Sequence, residues 1–229
     1  MDTIILAAGL GTRLRPYTLT TPKPLLPVRG RPILDWTLAA LPKVVERVIV
    51  VTHHLRDQID NYMKQQRHFG DWVTILQANP RGTGDAFISC GNAAKSDCIL
   101  VLNGDDLYAG RDLSALSDKP QGLLVHPVDD PKRFGITFLR PDGTLEKLVE
   151  KPDMTGRQMA NIGAYLFPRS AFNLKLPLSP RGEYEITDIV SQLAAKAPFH
   201  AVEATTWLPI GNEEQWRAAE QMDLGSLLK

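Results

Sequence analysis

The sequence predicts an α/β fold: a mostly parallel central sheet between two helical layers, an αβα sandwich, with an antiparallel lobe added in the second half. Two observations carry this. In the first half, short continuous apolar runs alternate with stretches of helical character. Continuous rather than alternating apolarity marks strands buried on both faces, as in a parallel sheet covered by helices. In the second half, strand candidates succeed one another with only turns between them, the pattern of antiparallel pairing.

Taken in order, the buried strand candidates are residues 4–8, 48–51, 73–76 and 99–102, rich in Ile, Val and Leu. Helical stretches at 33–41, 55–66 and 85–94 separate them, so this half reads as repeated βαβ units. Strand candidates then fall at 122–128, 134–139, 145–149 and 162–167. Arg140-Pro141-Asp142-Gly143-Thr144 joins the middle two as a hairpin. Residues 212–228 form a charged, helix-compatible tail, and the chain shows no repeat or low-complexity segment.

At 229 residues, with 43% hydrophobic and 23% charged residues, the chain reads as one globular domain, 1–229, with an ordinary core. Its 26 basic residues balance 26 acidic ones, which argues against nucleic acid or an anionic membrane surface as partner. Any phosphate site must therefore be local. Cys90 and Cys98 are too few for a metal cage or a disulfide framework and are read as reduced core residues. No signal-peptide pattern or membrane-length apolar run is present, so the expected location is cytoplasmic.

Leu6-Ala7-Ala8-Gly9-Leu10-Gly11-Thr12-Arg13-Leu14 follows the first strand, and Thr21-Pro22-Lys23-Pro24 comes soon after. Glycines after a strand let backbone N–H groups approach a phosphate, while Arg and Lys neutralise its charge. Two familiar phosphate loops fail here. A Walker loop needs Lys and Ser or Thr directly after its last glycine, and a dinucleotide fingerprint needs a small residue at position 14 followed by a helix. Pro16, Pro22, Pro24 and Pro27 forbid such a helix.

The loop resembles the signature of the sugar-1-phosphate nucleotidylyltransferases, in which L-A-A-G-x-G-T-R-L precedes P-K-P, and the likeness runs from residue 4 to about 212. Gln77 to Ala86 resembles the base-recognition segment, especially that of N-acetylglucosamine-1-phosphate uridylyltransferase domains. Thr83 or Asp85 also suits a helix cap there. Asn103-Gly104-Asp105-Asp106 resembles the G-D element whose Asp holds Mg²⁺. Asp130 to Gly135, Glu150-Lys151-Pro152 and Asn161-Ile162-Gly163 resemble the sugar-side elements D-P-x-x-Y-G, E-K-P and N-x-G, with Phe134 in place of Tyr. Glu183 to Asp188 resembles the stretch E-Y-x-x-T-D that opens a late helix, where Thr187 or Asp188 suits a cap. One departure is plain: Pro209 stands where many thymidylyltransferase-like members place a second metal-binding Asp.

The resemblance implies a Rossmann-like fold with a nucleotide-binding half, 1–110, and a sugar-phosphate-binding half, 111–229. It further implies Mg²⁺-dependent transfer from UTP or dTTP to a sugar 1-phosphate with release of pyrophosphate, a step in nucleotide-sugar biosynthesis that supplies cell-envelope polysaccharide precursors. Arg13 and Lys23 are the catalytic candidates. Leu6, Ala7, Ala8, Gly9, Gly11, Thr12, Gln77, Gly82 and Thr83 are expected at the nucleotide. Gly135, Glu150, Lys151 and Asn161 are expected at the sugar phosphate, and Asp105 with Asn212, a substitute for the missing Asp, at the metal. His53 and His54 are read as helix-entry or surface residues. Two alternatives share parts of this pattern: cytidylyl transfer to a phospho-alcohol such as phosphocholine, and a non-catalytic regulatory homologue that binds nucleotide sugar. With no hexapeptide repeat in the sequence, the acetyltransferase activity fused to some relatives is not expected of this chain.

Overall fold

The computed structural model describes residues 1–228. Strand β1 (Asp2–Leu6) leads through a loop of short 3-10 turns to a small hairpin, β2 (Pro27–Val28) and β3 (Arg31–Pro32), and then to α1 (Ile33–Ala40). Strand β4 (Arg47–Thr52), α2 (Arg56–Gln65), β5 (Asp71–Leu76), α3 (Thr83–Ile88) and β6 (Cys98–Asn103) complete the alternating part. Next come β7 (Asp106–Tyr108), α4 (Gly110–Ser117), β8 (Gly122–Val128), β9 (Gly135–Leu139), β10 (Leu145–Glu150) and β11 (Gln158–Pro168). The chain ends with α5 (Ile186–Ala194), β12 (His200–Glu203), β13 (Trp207–Pro209), α6 (Glu213–Glu220) and a final 3-10 turn.

Among the described residues one nine-stranded sheet organises the molecule, in the order β10-β9-β11-β6-β1-β4-β5, with β8 pairing β11 and β12. Strands β6, β1, β4 and β5 are parallel neighbours, as the apolar runs predict, but β5 lies at the sheet's edge and is only half-buried, with Leu76 exposed, rather than covered on both faces. Strand β11 pairs antiparallel with β6 and carries β9, β10 and β8 with it. The antiparallel lobe therefore continues the parallel sheet, giving a Rossmann-like mixed sheet with flanking helices.

Burial explains why the sheet needs helices on both faces. Ile4 and Ile5 are consecutive and fully buried, yet they enter different apolar clusters, because successive strand side chains point to opposite faces. Ile4 packs with Phe87, Val101 and Phe167, whereas Ile5 packs with Leu34, Val50 and Leu102. A third cluster joins Leu14, Leu26 and Trp36 to Ile210 and Leu224, clamping the amino-terminal loop between α1 and the end of the chain.

Several boundaries differ from the sequence reading. Strand β1 stops at Leu6 rather than residue 8, although Ala7 N–H still reaches Val51 O at 3.0 Å before the chain turns away. Helix α3 ends at Ile88 instead of 94, where Gly91 and Asn92 are poor helix formers. Neither Thr83 nor Asp85 caps it. Cys90 is buried, and burial pushes its thiol up to about 12, whereas Cys98 is only half-buried. The 140–144 turn forms as expected: Gly143 sits at φ +79°, and Asp142 Oδ1 accepts from Thr144 N at 2.9 Å. No helix among the described residues is long and apolar enough to cross a membrane.

Phe87 has no exposed surface, stacks on Phe172 at 4.4 Å and meets Phe167 edge-on at 5.3 Å. Phe87→Ala should cost about 3–5 kcal/mol of stability. The measurement is the urea midpoint at unchanged m-value, and a loss below about 1 kcal/mol would show that the core under α3 collapses to fill the space.

Candidate functional site

The carboxyl ends of β1 and β6 meet where Leu6 pairs with Asn103, and the connections leaving them fold over that edge. Gly104 makes this possible. Its N–H donates to Leu6 O at 3.0 Å, and a Cβ there would lie 2.8 Å from that oxygen and 3.1 Å from Ala7 Cα. Gly11 has φ +60°, and a side chain on it would meet Thr18 Cγ2 at 2.8 Å. The Thr18 hydroxyl donates to Gly11 O at 2.8 Å, which fixes the loop's return.

A cavity of about 430 Å³ opens along this edge. Its lining includes each residue expected at the nucleotide: Leu6, Ala7, Ala8, Gly9, Gly11, Thr12, Gln77, Gly82 and Thr83. Arg13, Lys23 and Asp105 line it as well. The Lys23 side chain is only 9% exposed, and its ammonium lies 2.5 Å from Asp105 Oδ2. Arg13 is exposed and makes no ion pair among the described residues; its guanidinium lies beside Gly211, where a Cβ would be 3.6 Å from Nη1. The lining contains no His, Cys or Ser. A larger cavity of about 540 Å³ lies against Arg169 and Phe172 and holds none of the motif residues.

The far wall comes from the second half of the chain. Gly82, at φ +107°, is pressed against the segment before α5, and a Cβ on it would lie 2.4 Å from Tyr184 O. Tyr184 N donates to Arg81 O at 2.7 Å, and Gly84 N donates to Tyr184 O at 2.8 Å. Thr83 does cap a helix, but a distant one: its hydroxyl accepts from Ile186 N, at the start of α5, at 3.1 Å. Thr187 and Asp188, the caps expected for α5, do not serve it.

The residues expected at the sugar phosphate are not in the cavity lining and gather on the adjoining strands. A Cβ on Gly135 would lie 3.0 Å from Glu150 Oε2, so the glycine leaves room for that carboxylate. Lys151, with φ +45°, places its ammonium 3.9 Å from Glu150 Oε1. Asn161 donates to Tyr165 OH at 2.8 Å and accepts from Gly163 N at 3.1 Å. Arg181 approaches Glu150 at 3.8 Å while pairing with Glu185 at 2.8 Å. Two residues further on, Glu183 lines the cavity, so one short segment touches both groups.

Asn212 falls elsewhere in role. Its Oδ1 accepts from Gln215 N at 2.9 Å and caps α6, so the oxygen expected at a metal is engaged in holding a helix start. Pro209 pairs with Asp106 in the small β7–β13 ribbon. His53 Nδ1 lies 2.9 Å from Gln77 O and His54 Nε2 lies 3.2 Å from Thr18 O, so both brace the loops that form the cavity.

Sequence reasoning missed Asn103 and Arg181. Asn103 lines the cavity, and its Nδ2 donates to Asp106 Oδ2 at 3.1 Å. Asp106 is buried, and burial together with the Asp105 charge raises its pKa well above the usual carboxylate range. Gly163 gives Asn103 its space: a Cβ at position 163, where φ is +79°, would lie 1.9 Å from Asn103 Nδ2. The available signal was the place of Asn103 immediately before Gly104-Asp105.

Residues 2–225 match the family model described as Nucleotidyl transferase. The chain belongs to that family, within its sugar-1-phosphate nucleotidylyltransferases. This nucleotidyltransferase is 33% identical over 217 residues to the bifunctional protein GlmU of Methanococcus maripaludis, covering 93% of the chain and 52% of that protein. It is 30% identical over 237 residues to the low-salt glycan biosynthesis nucleotidyltransferase Agl11 of Haloferax volcanii, covering 98% of the chain and 66% of the relative. The chain thus spans about half to two thirds of the length of these relatives. A solved Bacillus anthracis structure, described as a glucose-1-phosphate thymidylyltransferase in complex with a sucrose, superimposes with a TM-score of 0.85 at 26% identity, covering 100% of this chain and 98% of that one.

The Asn103–Gly163 contact joins the parallel core to the antiparallel strands and makes a direct prediction. Gly163→Ala should destabilise the nucleotidyltransferase by roughly 2–3 kcal/mol, combining a positive-φ penalty with overpacking. Adding Asn103→Ala should recover part of that loss, because the clash is with that side chain. Thermal melts of both single variants and the double variant measure the coupling, and strict additivity would refute the packing account.

Proposed function

We propose that the chain transfers a nucleotidyl group from UTP or dTTP to a sugar 1-phosphate, releasing pyrophosphate. The observation that carries this reading is the composition of one cavity. A glycine loop, an unpaired guanidinium, an ammonium beside a carboxylate and a buried carboxamide face the same space, without a His, Cys or Ser nucleophile. A sugar phosphate, whose second pKa is ~6, is already largely dianionic at pH 7 and needs no general base. The protein's task is to bring two anions together in line and to stabilise the charge that moves onto the leaving group.

In this reading, N–H groups of the loop and Arg13 hold the β and γ phosphates, and Arg13 takes the charge growing on pyrophosphate. Lys23 serves the α-phosphate. Gln77 and Gly82 read the base. Lys151 neutralises the sugar phosphate, with Arg181 as a second cation on that side, while Glu150 and Asn161 orient sugar hydroxyls. Gly135 keeps the space between those two side chains open.

Mg²⁺ fits the donor set in a limited way. Asp105 supplies a hard oxygen at the cavity, and no group of three or more His, Cys, Asp or Glu residues is placed to hold a metal among the described residues. One carboxylate suits an ion that takes its remaining ligands from phosphates and water. When bound, Mg²⁺ would add charge neutralisation at the reacting phosphates. Asn212 is assigned to its helix cap rather than to the ion.

Pyrophosphate release with a panel of triphosphates and sugar 1-phosphates tests the whole reading. No release from any pair, with nucleotide still bound, would favour a non-catalytic binder of nucleotide sugars. Arg13→Ala should lower kcat by roughly 10² to 10³, the scale for one group stabilising transition-state charge. Near-normal turnover would demote the loop to a structural turn. Rate against Mg²⁺ concentration separates the two metal candidates. Asp105→Asn should abolish nearly all turnover, whereas Asn212→Ala should cost about 1 kcal/mol of stability through loss of the cap and leave the Mg²⁺ requirement unchanged. A raised Mg²⁺ requirement in Asn212→Ala would restore it as a ligand.

A further inference from the structure

The orientation of one carboxamide is over-determined. Gln77 is 5% exposed, and its backbone is fixed at both ends: its N–H donates to Thr52 O at 2.8 Å, and its carbonyl lies 2.9 Å from His53 Nδ1. Its side-chain nitrogen faces two oxygens at once, Asp85 Oδ2 at 2.9 Å and Gly82 O at 3.2 Å. Neither oxygen can donate. Flipping the amide would set Oε1 against a carboxylate and a carbonyl, so the nitrogen must stay where it is. Asp85 is itself held by Arg81, whose Nη2 donates to Asp85 Oδ1 at 2.7 Å.

A primary amide has two N–H groups, and both are consumed. Gln77 therefore offers the cavity an acceptor only, its Oε1. Close by, the Gly82 N–H has no partner among the described residues and supplies a donor. An acceptor beside a donor complements the N3–H and O2 edge of uracil and thymine, and because cytosine shares O2 the discrimination falls on N3 alone. Cytosine presents a bare N3 at that position, so two acceptors would face each other unless the ring slid along the edge and displaced the ribose.

We propose that Asp85 is a specificity-positioning residue: by locking the Gln77 carboxamide as an acceptor, it selects imide bases, uracil and thymine, against cytosine. This rests on the reading of the cavity as a triphosphate site and narrows it. The selection arises one residue away from the base, at a carboxylate that need not touch the nucleotide. Without Asp85, a flipped Gln77 would oppose only Gly82 O and could donate to cytosine N3.

The test reads binding separately from turnover. Calorimetric Kd values for UTP, dTTP and CTP, taken in EDTA, should favour UTP and dTTP over CTP by roughly 10- to 100-fold, the scale of one buried unpaired acceptor. In Asp85→Leu and Asp85→Ala, which offer the Gln77 nitrogen no oxygen, the ratio should fall to within a few-fold of unity, while Asp85→Asn, whose Oδ1 can still accept, should keep part of it. A general loosening of the fold would weaken all three nucleotides together and leave the ratio in place. Equal wild-type affinity for CTP and UTP would overturn the proposal, as would an unchanged ratio in both Asp85→Leu and Asp85→Ala. If Asp85→Ala does not fold, Asp85→Leu, which keeps the side chain's branched shape without an acceptor, decides. Lack of pyrophosphate release from every substrate pair would defeat the transferase reading and leave the binding ratio to judge Asp85.

Discussion

The Lys23 ammonium and the Asp105 carboxylate lie 82 residues apart in sequence and 2.5 Å apart in space, and the site depends on that pair. It pins the proline-stiffened amino-terminal loop to the turn after β6. Taking the Lys23 charge out of water is costly and persists only because an opposite charge compensates it. With the loop held there, the glycine N–H groups, Arg13 and the carboxylate all face one volume. Gly104 sets the closest approach, since any side chain at that position would push the loop off the end of β1.

A second constraint is the join between the two parts of the sheet. Strand β11 pairs directly with β6, so the strands carrying Glu150 and Asn161 are registered against the strand that ends at Asn103. The segment before α5 makes a further join at Gly82 and Thr83. The elements expected at the base and at the sugar are thereby parts of one hydrogen-bonded framework. That suits the proposed reaction between two separately bound anions, in which alignment contributes much of the rate.

The buried polar residues around the cavity form chains in which each group fixes the next. Asp106 holds Asn103, Gly163 makes room for it, and Asp85 and Gly82 hold Gln77. Such chains rigidify a site at low cost when every donor and acceptor is matched. They also explain why glycine recurs: at positions 82, 104 and 163 the space a side chain would need belongs to a neighbour.

Much of the fold was legible in the chain itself. The runs 48–51 and 99–102, and 4–8 as far as Leu6, are apolar strands of the sheet core, and the 140–144 turn carries its own Asp-Gly chemistry; the run 73–76 forms a strand too, but at the sheet's edge and only half-buried. The family resemblance named the loop, Gln77 and Asp105, and all of them line one cavity. Short elements such as β7, β12 and β13 were not visible, because three or four residues carry little periodicity and owe their conformation to the strand beside them. The roles of Thr83, Asn212 and Asp85 were equally hidden. Thr83 caps a helix 103 residues away, Asn212 spends its oxygen on a helix start, and Asp85 acts through Gln77. Sequence determines which groups are available and which stretches must be buried. Which oxygen meets which donor depends on distances between residues far apart in the chain, and only the packed sheet decides those.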